Sequence, residues 1–328
     1  MSDPVYTLNV ICEAIAAFVG LIFNGYILFV LICSKITVNN LLLLFMALAD
    51  IAICLLILMA NTPMSLNREV PNFLINSSQI MTESMEQWVC NAQGALWTVL
   101  PLCLIWTICG LIVDRYVAIV QPLSYNRLLS IRKTSIILIS IWICLISFAF
   151  PPLMGCCEYQ FSLSHSGCIA VCHKVSENGF EFYYIMFYLI ALIIAIIIIL
   201  CCNAHILAIA RNHRHRIVSA IYEITMRAQI TITHQSRSSP NYLSKYKGRD
   251  AFATIFQLIG SLVFLTAPYY VIYAYKTFSN NFDDDYWSST ATLILSFAPI
   301  VNGYVYGVKS RALRKTFKRL LQVLSHLF

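Results

Sequence analysis

Seven apolar windows, each about 20 residues or longer, run through this chain and restrict its fold more than any other feature of the sequence. The hydrocarbon core of a bilayer is about 30 Å thick, and a helix of about 20 apolar residues crosses it. Backbone amides in lipid must be satisfied within the protein. Continuous apolar runs achieve this as helices, whereas a β-barrel needs shorter segments of alternating polarity. The windows lie near residues 9–33, 40–62, 87–113, 134–154, 181–210, 251–275 and 288–308.

Composition favours the same class of protein. A soluble domain usually carries about 25% charged residues, whereas this chain has 11% charged and 59% hydrophobic residues. No boundary or internal repeat is visible among its 328 residues. The sequence therefore predicts an all-α membrane protein in which residues 1–328 form a single domain, a bundle of seven transmembrane helices.

The positive charges predict the orientation of the bundle. Of the 22 lysine and arginine residues, only Arg68, Lys174 and Lys276 lie in connections on the side of the N-terminus, which leaves 22 − 3 = 19 on the other side. Because cytoplasmic connections retain positive charge, we expect a multi-pass plasma-membrane protein with an extracellular N-terminus. The net charge of +7 suits anionic membrane lipid and a protein partner better than nucleic acid.

Five of the 13 cysteines lie on the predicted outer side: Cys90 opens the third window, and Cys156, Cys157, Cys168 and Cys172 lie between the fourth and fifth windows. This side is oxidising, so disulfides persist there. A bridge from Cys90 to that connection would hold the connection over the helix ends. Zinc is an alternative for clustered thiols, but the CC and CxxxC patterns lack a firm ligand spacing, and we predict no metal site.

Two other connections carry signals of their own. The outer connection from 62 to 87 contains the sequon Asn76-Ser77-Ser78, so we expect Asn76 to be glycosylated. The inner connection from 211 to 250 begins with apolar residues at helical spacing, including Ile217 and Ile221. This spacing predicts that the fifth helix continues as an amphipathic cytoplasmic helix.

A charged tripeptide, Asp114-Arg115-Tyr116, interrupts the apolar run at the cytoplasmic end of the third window. Burying a charge in hydrocarbon costs several kcal/mol unless the charge is paired or reaches water. With other landmarks on the expected spans, this tripeptide makes the chain resemble a rhodopsin-like (class A) G protein-coupled receptor. The landmarks are FNGYILF with Asn24, LLLLFMALAD with Asp50, Cys90, DRYVAIVQPL, Trp142, FLTAPYY with Pro268, and NGYVYG with Asn302 and Tyr306.

The inner segment ARNHRHRIVSAIYEITMRAQITITHQ narrows the resemblance to a group of invertebrate orphan receptors. The resemblance implies a heterotrimeric G protein and an unknown small-molecule ligand as partners, besides membrane lipid. It also implies a disulfide between Cys90 and Cys168, with Cys172 as the second choice. Cys156 and Cys157 remain unassigned.

The resemblance also implies how such a chain would signal. In these receptors the arginine of the tripeptide lies on the aspartate at rest and swings toward the G protein when the sixth helix moves outward. Leu123, after Pro122, would be an apolar contact for the G protein. The residues implied in coupling and activation are Asn24, Asp50, Asp114, Arg115, Tyr116, Leu123, Asn302 and Tyr306.

Three departures from the family pattern concern activation. Thr266 replaces the usual tryptophan two residues before the sixth-helix proline, Gly248 stands where many relatives have an acidic partner for the arginine, and Gly303 replaces the proline after Asn302. Unless Asp250, two residues after Gly248, reaches Arg115, a charge-assisted hydrogen bond is missing, and its loss would weaken the resting state by about 1.5–3 kcal/mol. We therefore expect high basal activity.

The predicted ligand pocket is aromatic, rich in hydroxyl groups and uncharged. Trp97 stands where amine receptors carry an aspartate, and the seventh window has no lysine that could bind retinal. A neutral or lipid-like small molecule therefore fits better than a biogenic amine. The predicted lining residues are Gln93, Trp97, Thr98, Phe187, Tyr269, Tyr270, Tyr273, Thr292 and Ser296.

Other functional classes have less support. His205 is the one histidine inside a predicted window, so haem held by paired histidines is not expected. No Ser-His or paired-carboxylate constellation suggests hydrolysis, and we predict neither an enzyme nor a cofactor. Two alternatives stay open: a seven-helix protein with a non-signalling or scaffold role, and a transporter, which the lack of repeats makes the weaker of the two.

The basic C-terminal segment is predicted to form a short amphipathic helix over residues 310–321. Its charged side suits the inner leaflet of the membrane, and its apolar side would lie against the lipid. The apolar side consists of Ala312, Leu313, Phe317, Leu320 and Leu321.

Overall fold

A computed structural model of the chain describes residues 4–69, 83–147, 158–162, 165–171, 180–231, 264–276 and 286–325. Within these ranges the chain is mostly helical, and it folds as a helical membrane bundle. Five helices are long and apolar enough to cross a membrane: Val5–Ile32, Val38–Ser65, Gln87–Val120, Leu189–Asn212 and Tyr286–Val308. They coincide with the first, second, third, fifth and seventh predicted windows. The fourth and sixth windows lie partly outside the described residues.

The described residues form eleven helices. In chain order the helices are α1 (Pro4–Ile32), α2 (Val38–Leu56), α3 (Thr62–Glu69), α4 (Glu83–Val120), α5 (Tyr125–Leu128), α6 (Ile131–Ser147), α7 (Phe180–Thr231), α8 (264–276), α9 (Tyr286–Ser296), α10 (Ala298–Asn302) and α11 (Arg311–Ser325). Two π-helical segments, Ile57–Asn61 and Gly303–Val308, join α2 to α3 and follow α10.

Local chemistry explains several helix boundaries. The hydroxyl oxygen of Thr37 accepts a hydrogen bond from the backbone N–H of Asn40 at 3.2 Å and thereby satisfies a free amide at the start of α2. Pro299 lies in the first turn of α10, where the absence of an N–H costs little. Helix α7 is 52 residues long, and its C-terminal part includes the segment predicted as its amphipathic extension.

Glycine allows α1 to pack closely against the last membrane-crossing helix. A Cβ atom on Gly303 would lie 2.6 Å from the Cβ of Phe23, and one on Gly307 would lie 2.6 Å from the Cγ1 of Ile27. Neither distance is tolerated between carbon atoms without a backbone shift. The glycine that replaces the expected proline at 303 therefore has a packing reason.

A two-stranded antiparallel hairpin, not predicted from the sequence, lies against one end of α4. Strand β1 (Glu158–Ser162) pairs with β2 (Gly167–Val171). Cys168 of β2 is bonded to Cys90 of α4, with Cα atoms 5.5 Å apart, so the predicted disulfide is confirmed. We call this end of the bundle the hairpin end, and the end at which α11 lies the tail end.

Apolar side chains form the core of the bundle and also much of its outer surface. Met46 and Leu111 are fully buried between helices, while Phe18, Ile136 and Ile143 are more than half exposed. An apolar outer surface of this extent is unusual for a soluble monomer. It suits helices that are surrounded by lipid.

Candidate functional site

Asp114 and Tyr125 form a short hydrogen bond at the tail end. The hydroxyl of Tyr125 donates to Oδ1 of Asp114 at 2.6 Å, and Asp114 is buried. Because Tyr125 belongs to α5, this bond ties the connection after α4 to the end of α4 itself. Burial and donation to Asp114 raise the pKa of Tyr125 to about 12, so its hydroxyl remains a donor at physiological pH.

Arg115 has a different partner from its neighbour. Its Cζ atom lies 5.5 Å from the centre of the Tyr306 ring, within the range of a cation–π interaction. The hydroxyl of Tyr306 is buried and has no hydrogen-bond partner in the described part of the chain, so the contact is made through the ring. Among the described residues, the partner of Arg115 is thus Tyr306 and that of Asp114 is Tyr125.

The third residue of the tripeptide joins α4 to α7. The hydroxyl of Tyr116 lies 3.0 Å from Nδ1 of His205, and the two ring centres are 5.6 Å apart. Leu123, in the turn before α5, is fully exposed. The tail end therefore connects four elements of the bundle and presents the apolar side chain of Leu123 at its surface.

A buried polar layer lies deeper in the bundle. The amide of Asn302 donates to Oδ1 of Asp50 at 3.3 Å, and that of Asn24 donates to the carbonyl oxygen of Pro299 at 2.9 Å. These bonds join α1, α2 and α10. Oδ2 of Asp50 and Oδ1 of Asn24 have no hydrogen-bond partner among the described residues. Both atoms are acceptors, and leaving a buried acceptor without a donor costs free energy.

Gln93 is the centre of the hydrogen bonds at the hairpin end. Its Nε2 donates to Oδ1 of Asn61 at 2.7 Å, and its Oε1 accepts from the backbone N–H of Cys168 at 2.8 Å. The side chain is buried. One glutamine of α4 thus holds both the π-helical segment Ile57–Asn61 and the hairpin.

Aromatic side chains of α8 form the next part of the predicted pocket. The indole N–H of Trp97 donates to the hydroxyl of Tyr269 at 3.1 Å. The ring of Tyr269 stacks on Tyr273, with centres 6.2 Å apart, and meets Tyr270 edge to face at 5.4 Å. The pocket aromatics are therefore packed against one another and joined to α4.

The three serine and threonine hydroxyls of the predicted pocket are bonded within their own helices. Thr98 donates to the carbonyl oxygen of Gly94 at 2.8 Å, Thr292 to that of Ser288 at 3.0 Å, and Ser296 to that of Leu293 at 2.7 Å. Each hydroxyl can still accept a bond, but its proton is engaged. They are weaker anchors for a ligand than the sequence suggests.

The tip of the hairpin enters the same region. The ring of His165 meets the rings of Tyr269 and Tyr273 edge to face, with centres 6.0 and 6.5 Å apart. The hydroxyl of Ser166 donates to Oε1 of Glu13 on α1 at 3.2 Å. His165, Ser166 and Glu13 are all buried. The predicted pocket is thus lined in part by the protein's own hairpin.

Comparison with known families decides what kind of protein carries this geometry. The chain matches the family model described as 7 transmembrane receptor (rhodopsin family) over residues 23–306. The chain belongs to the rhodopsin family of seven-transmembrane receptors. The resemblance inferred from its motifs is confirmed, and the expectation that the chain is not an enzyme agrees with a family of signalling receptors.

Several curated relatives are similar to this rhodopsin-family chain. Probable G-protein coupled receptor No9 of Amphibalanus amphitrite is 27% identical over 161 residues, which cover 47% of this chain and 31% of that protein. G-protein coupled receptor 161 of Xenopus tropicalis is 22% identical over 254 residues, which cover 72% and 48%. Melanocortin receptor 3 of Rattus norvegicus is 23% identical over 256 residues, which cover 76% and 67%. The chain spans less than half the length of the first two relatives.

The structure collects the predicted site residues of this rhodopsin-family receptor into three groups. These are the tail-end group around Arg115, the polar layer around Asp50 and the pocket group around Gln93. Other predicted positions lie outside the described residues, or lie in helices where the structure describes the backbone but not the side chain. They are Asn76, Cys156, Cys157, Cys172, Phe187, Gly248, Ala312, Leu320 and Leu321.

Glu13, the carboxylate that receives the hairpin, is not among the residues predicted from the sequence. Glu13 lies near the start of the first apolar window, and an ionisable residue in such a window is a functional candidate by default. That signal was present in the sequence. The sequence gives no signal, however, that the partner of Glu13 is Ser166, which lies in a distant connection.

Proposed function

We propose that this chain transmits an extracellular signal to a heterotrimeric G protein and that it does so with high basal activity. The observation that carries the proposal is the position of Arg115, whose guanidinium lies over the Tyr306 ring at 5.5 Å while Asp114 is occupied by Tyr125. Since the arginine is the residue implied in coupling, its separation from the aspartate corresponds to the signalling arrangement rather than the resting one.

The membrane arrangement is part of the same proposal. Seven helices cross the plasma membrane, with the hairpin end outside and the tail end in the cytoplasm. The asymmetry of lysine and arginine supports this orientation. The disulfide between Cys90 and Cys168 supports it as well, since such bonds persist in oxidising compartments. Helix α11 would then lie on the inner leaflet, and Asn76 would be glycosylated.

The ligand we propose is a neutral or lipid-like small molecule. The aromatic side chains around Trp97 and Tyr269 favour apolar or aromatic groups. The carboxylate that the pocket contains, on Glu13, already accepts a hydrogen bond from Ser166. It is therefore a less available anchor for a cationic amine than a carboxylate facing open space.

Nucleotide exchange on a purified G protein tests the coupling proposal. Receptor in lipid nanodiscs should accelerate exchange without added ligand, and Arg115→Ala should abolish the acceleration. Arg319→Ala, which removes an exposed arginine of α11, is the matched control and should behave like wild type. If wild type and Arg115→Ala were equally inactive at matched amounts of folded receptor, a non-signalling or scaffold role would replace this proposal.

A further inference from the structure

We propose that the tip of the hairpin, residues 165–168, is a built-in agonist of this receptor. The tip fills the pocket proposed for the small-molecule ligand, so such a ligand would have to displace the tip. While it is in place, the tip maintains the signalling arrangement at the tail end. The inference rests on the proposed function in one respect, because its activity readout is G protein coupling. It concerns a surface of the bundle whose partner is a segment of the same chain.

The first support is the close packing of the hairpin against α4. A Cβ atom on Gly167 would overlap Nε2 of Gln93, and a Cβ atom on Gly94 would overlap the ring of Tyr159. Each glycine lets the opposite surface approach to contact distance. Beside them, the backbone N–H of Cys168 donates to Gln93 at 2.8 Å. Glycine therefore stands on both sides of the contact between the hairpin and α4.

The second support is the burial of polar groups at the tip. His165 is 2% exposed and Ser166 is 1% exposed, and burying such groups costs free energy unless they are bonded. Both are engaged: Nδ1 of His165 lies 3.1 Å from the hydroxyl oxygen of Ser162, and Ser166 donates to Glu13 at 3.2 Å. The bundle thus satisfies Ser166 through Glu13, as it would satisfy a polar group of a ligand, while His165 is satisfied by Ser162 of the hairpin itself.

The third support is the backbone of Ser166. Its φ angle is 49°, in the left-handed region that residues other than glycine rarely adopt. A residue keeps such a conformation only when its surroundings hold it there. Here the bond to Glu13 on one side and the contacts of the next two residues with Gln93 on the other provide that restraint.

The fourth support links the tip to signalling. His165 contacts Tyr269 of α8, and Tyr269 accepts the hydrogen bond of Trp97 on α4. Helix α4 is continuous from Glu83 to Val120, so the same helix carries Arg115 at the tail end. With the tip in the pocket, Arg115 lies on Tyr306. An occupied pocket and the signalling arrangement therefore occur together, which is what an agonist produces.

The activity test compares variants of the tip in ligand-free nucleotide exchange at matched surface amounts. His165→Ala should lower exchange by about tenfold or more, because it removes the contact with α8. His165→Phe keeps a ring between the tyrosines and should restore most of the exchange, which separates lost contact from misfolding. Gln160→Ala, on the exposed side of the same hairpin, is the control and should match wild type.

A second measurement reports occupancy without G protein. Ser166→Cys and Gln160→Cys are treated with a membrane-impermeant maleimide, and labelling is counted above that of the wild-type chain. Protection of Ser166→Cys with rapid labelling of Gln160→Cys supports an inserted tip. Equal labelling rates would overturn the proposal, because the tip would then lie outside the pocket.

The outcomes separate this inference from the proposed function. If wild type is active and Arg115→Ala is not, but His165→Ala signals as strongly as wild type or more strongly, the built-in agonist is refuted and G protein coupling stands. If wild type and Arg115→Ala are both inactive, coupling itself is refuted and the agonist role falls with it.

Discussion

Replacing Tyr125 by phenylalanine removes one hydroxyl group and should suppress most ligand-independent signalling. This hydroxyl donates to the buried carboxylate of Asp114 at 2.6 Å. Without it, the carboxylate requires another donor, and the guanidinium of the next residue, Arg115, can supply a charge-assisted bond. Arg115 would then leave the ring of Tyr306 and adopt the resting arrangement that the family resemblance implies.

The size of the effect follows from the two contacts open to Arg115, a hydrogen bond to Asp114 and a cation–π contact with Tyr306. A hydrogen bond to a charged group contributes about 1.5–3 kcal/mol, while a cation–π contact contributes about 0.5–2 kcal/mol. In the variant, Arg115 therefore gains more by bonding to Asp114 than it loses by leaving the ring of Tyr306. The two contributions differ by about 1 kcal/mol, and since about 1.4 kcal/mol changes the ratio of two states tenfold, we expect basal exchange to fall by about fivefold. The Tyr125 bond itself should persist to high pH. Its pKa is raised from 10.0 to about 12, so its contribution is complete below pH 10 and is lost as the pH rises through about 12.

The assay is ligand-free nucleotide exchange with purified receptor and G protein. Tyr304→Phe is the matched control, because it removes a hydroxyl from an exposed tyrosine of the π-helical segment and should leave exchange unchanged. In a double-mutant cycle, Tyr125→Phe should have no further effect once Arg115 is alanine, since both changes act through the same charge. Exchange by Tyr125→Phe at or above the wild-type rate would refute the reasoning.

Three further predictions concern stability and membrane contact. Gly303→Ala should lower the free energy of unfolding by about 1–3 kcal/mol, measured as a shift of the melting temperature, while Gly25→Ala, where a Cβ meets nothing within 4 Å, should not. Cys90→Ser should cost about 4 kcal/mol on the chain-entropy model, and peptide mapping without reductant should find Cys90 joined to Cys168 in the wild type. Spin labels along Arg311–Ser325 should alternate between lipid and water with helical periodicity; uniform exposure to water would contradict an amphipathic helix on the membrane.

Much of this receptor could be predicted from the sequence because the relevant properties are local. Hydropathy over about 20 consecutive residues is enough to predict a membrane-crossing helix, since lipid imposes the same requirement on every segment. The disulfide between Cys90 and Cys168 was predicted because the family resemblance implies that pairing. Family membership followed from short motifs such as DRY and NGYVYG, whose residues are adjacent in the chain.

The tertiary structure alone decided which groups meet across the bundle. Ser166 reaches Glu13 across 153 positions of sequence, and the hairpin that brings it there has no local hydropathy signal comparable to that of a spanning helix. The need for glycine at 303 appears only when Phe23 is placed beside it. The pairing of Asp114 with Tyr125 rather than with Arg115 depends on where α5 lies. The physical reason is that burial in lipid is a property of a segment, whereas hydrogen bonds and close packing need two surfaces at contact distance, and the folded bundle determines which surfaces those are.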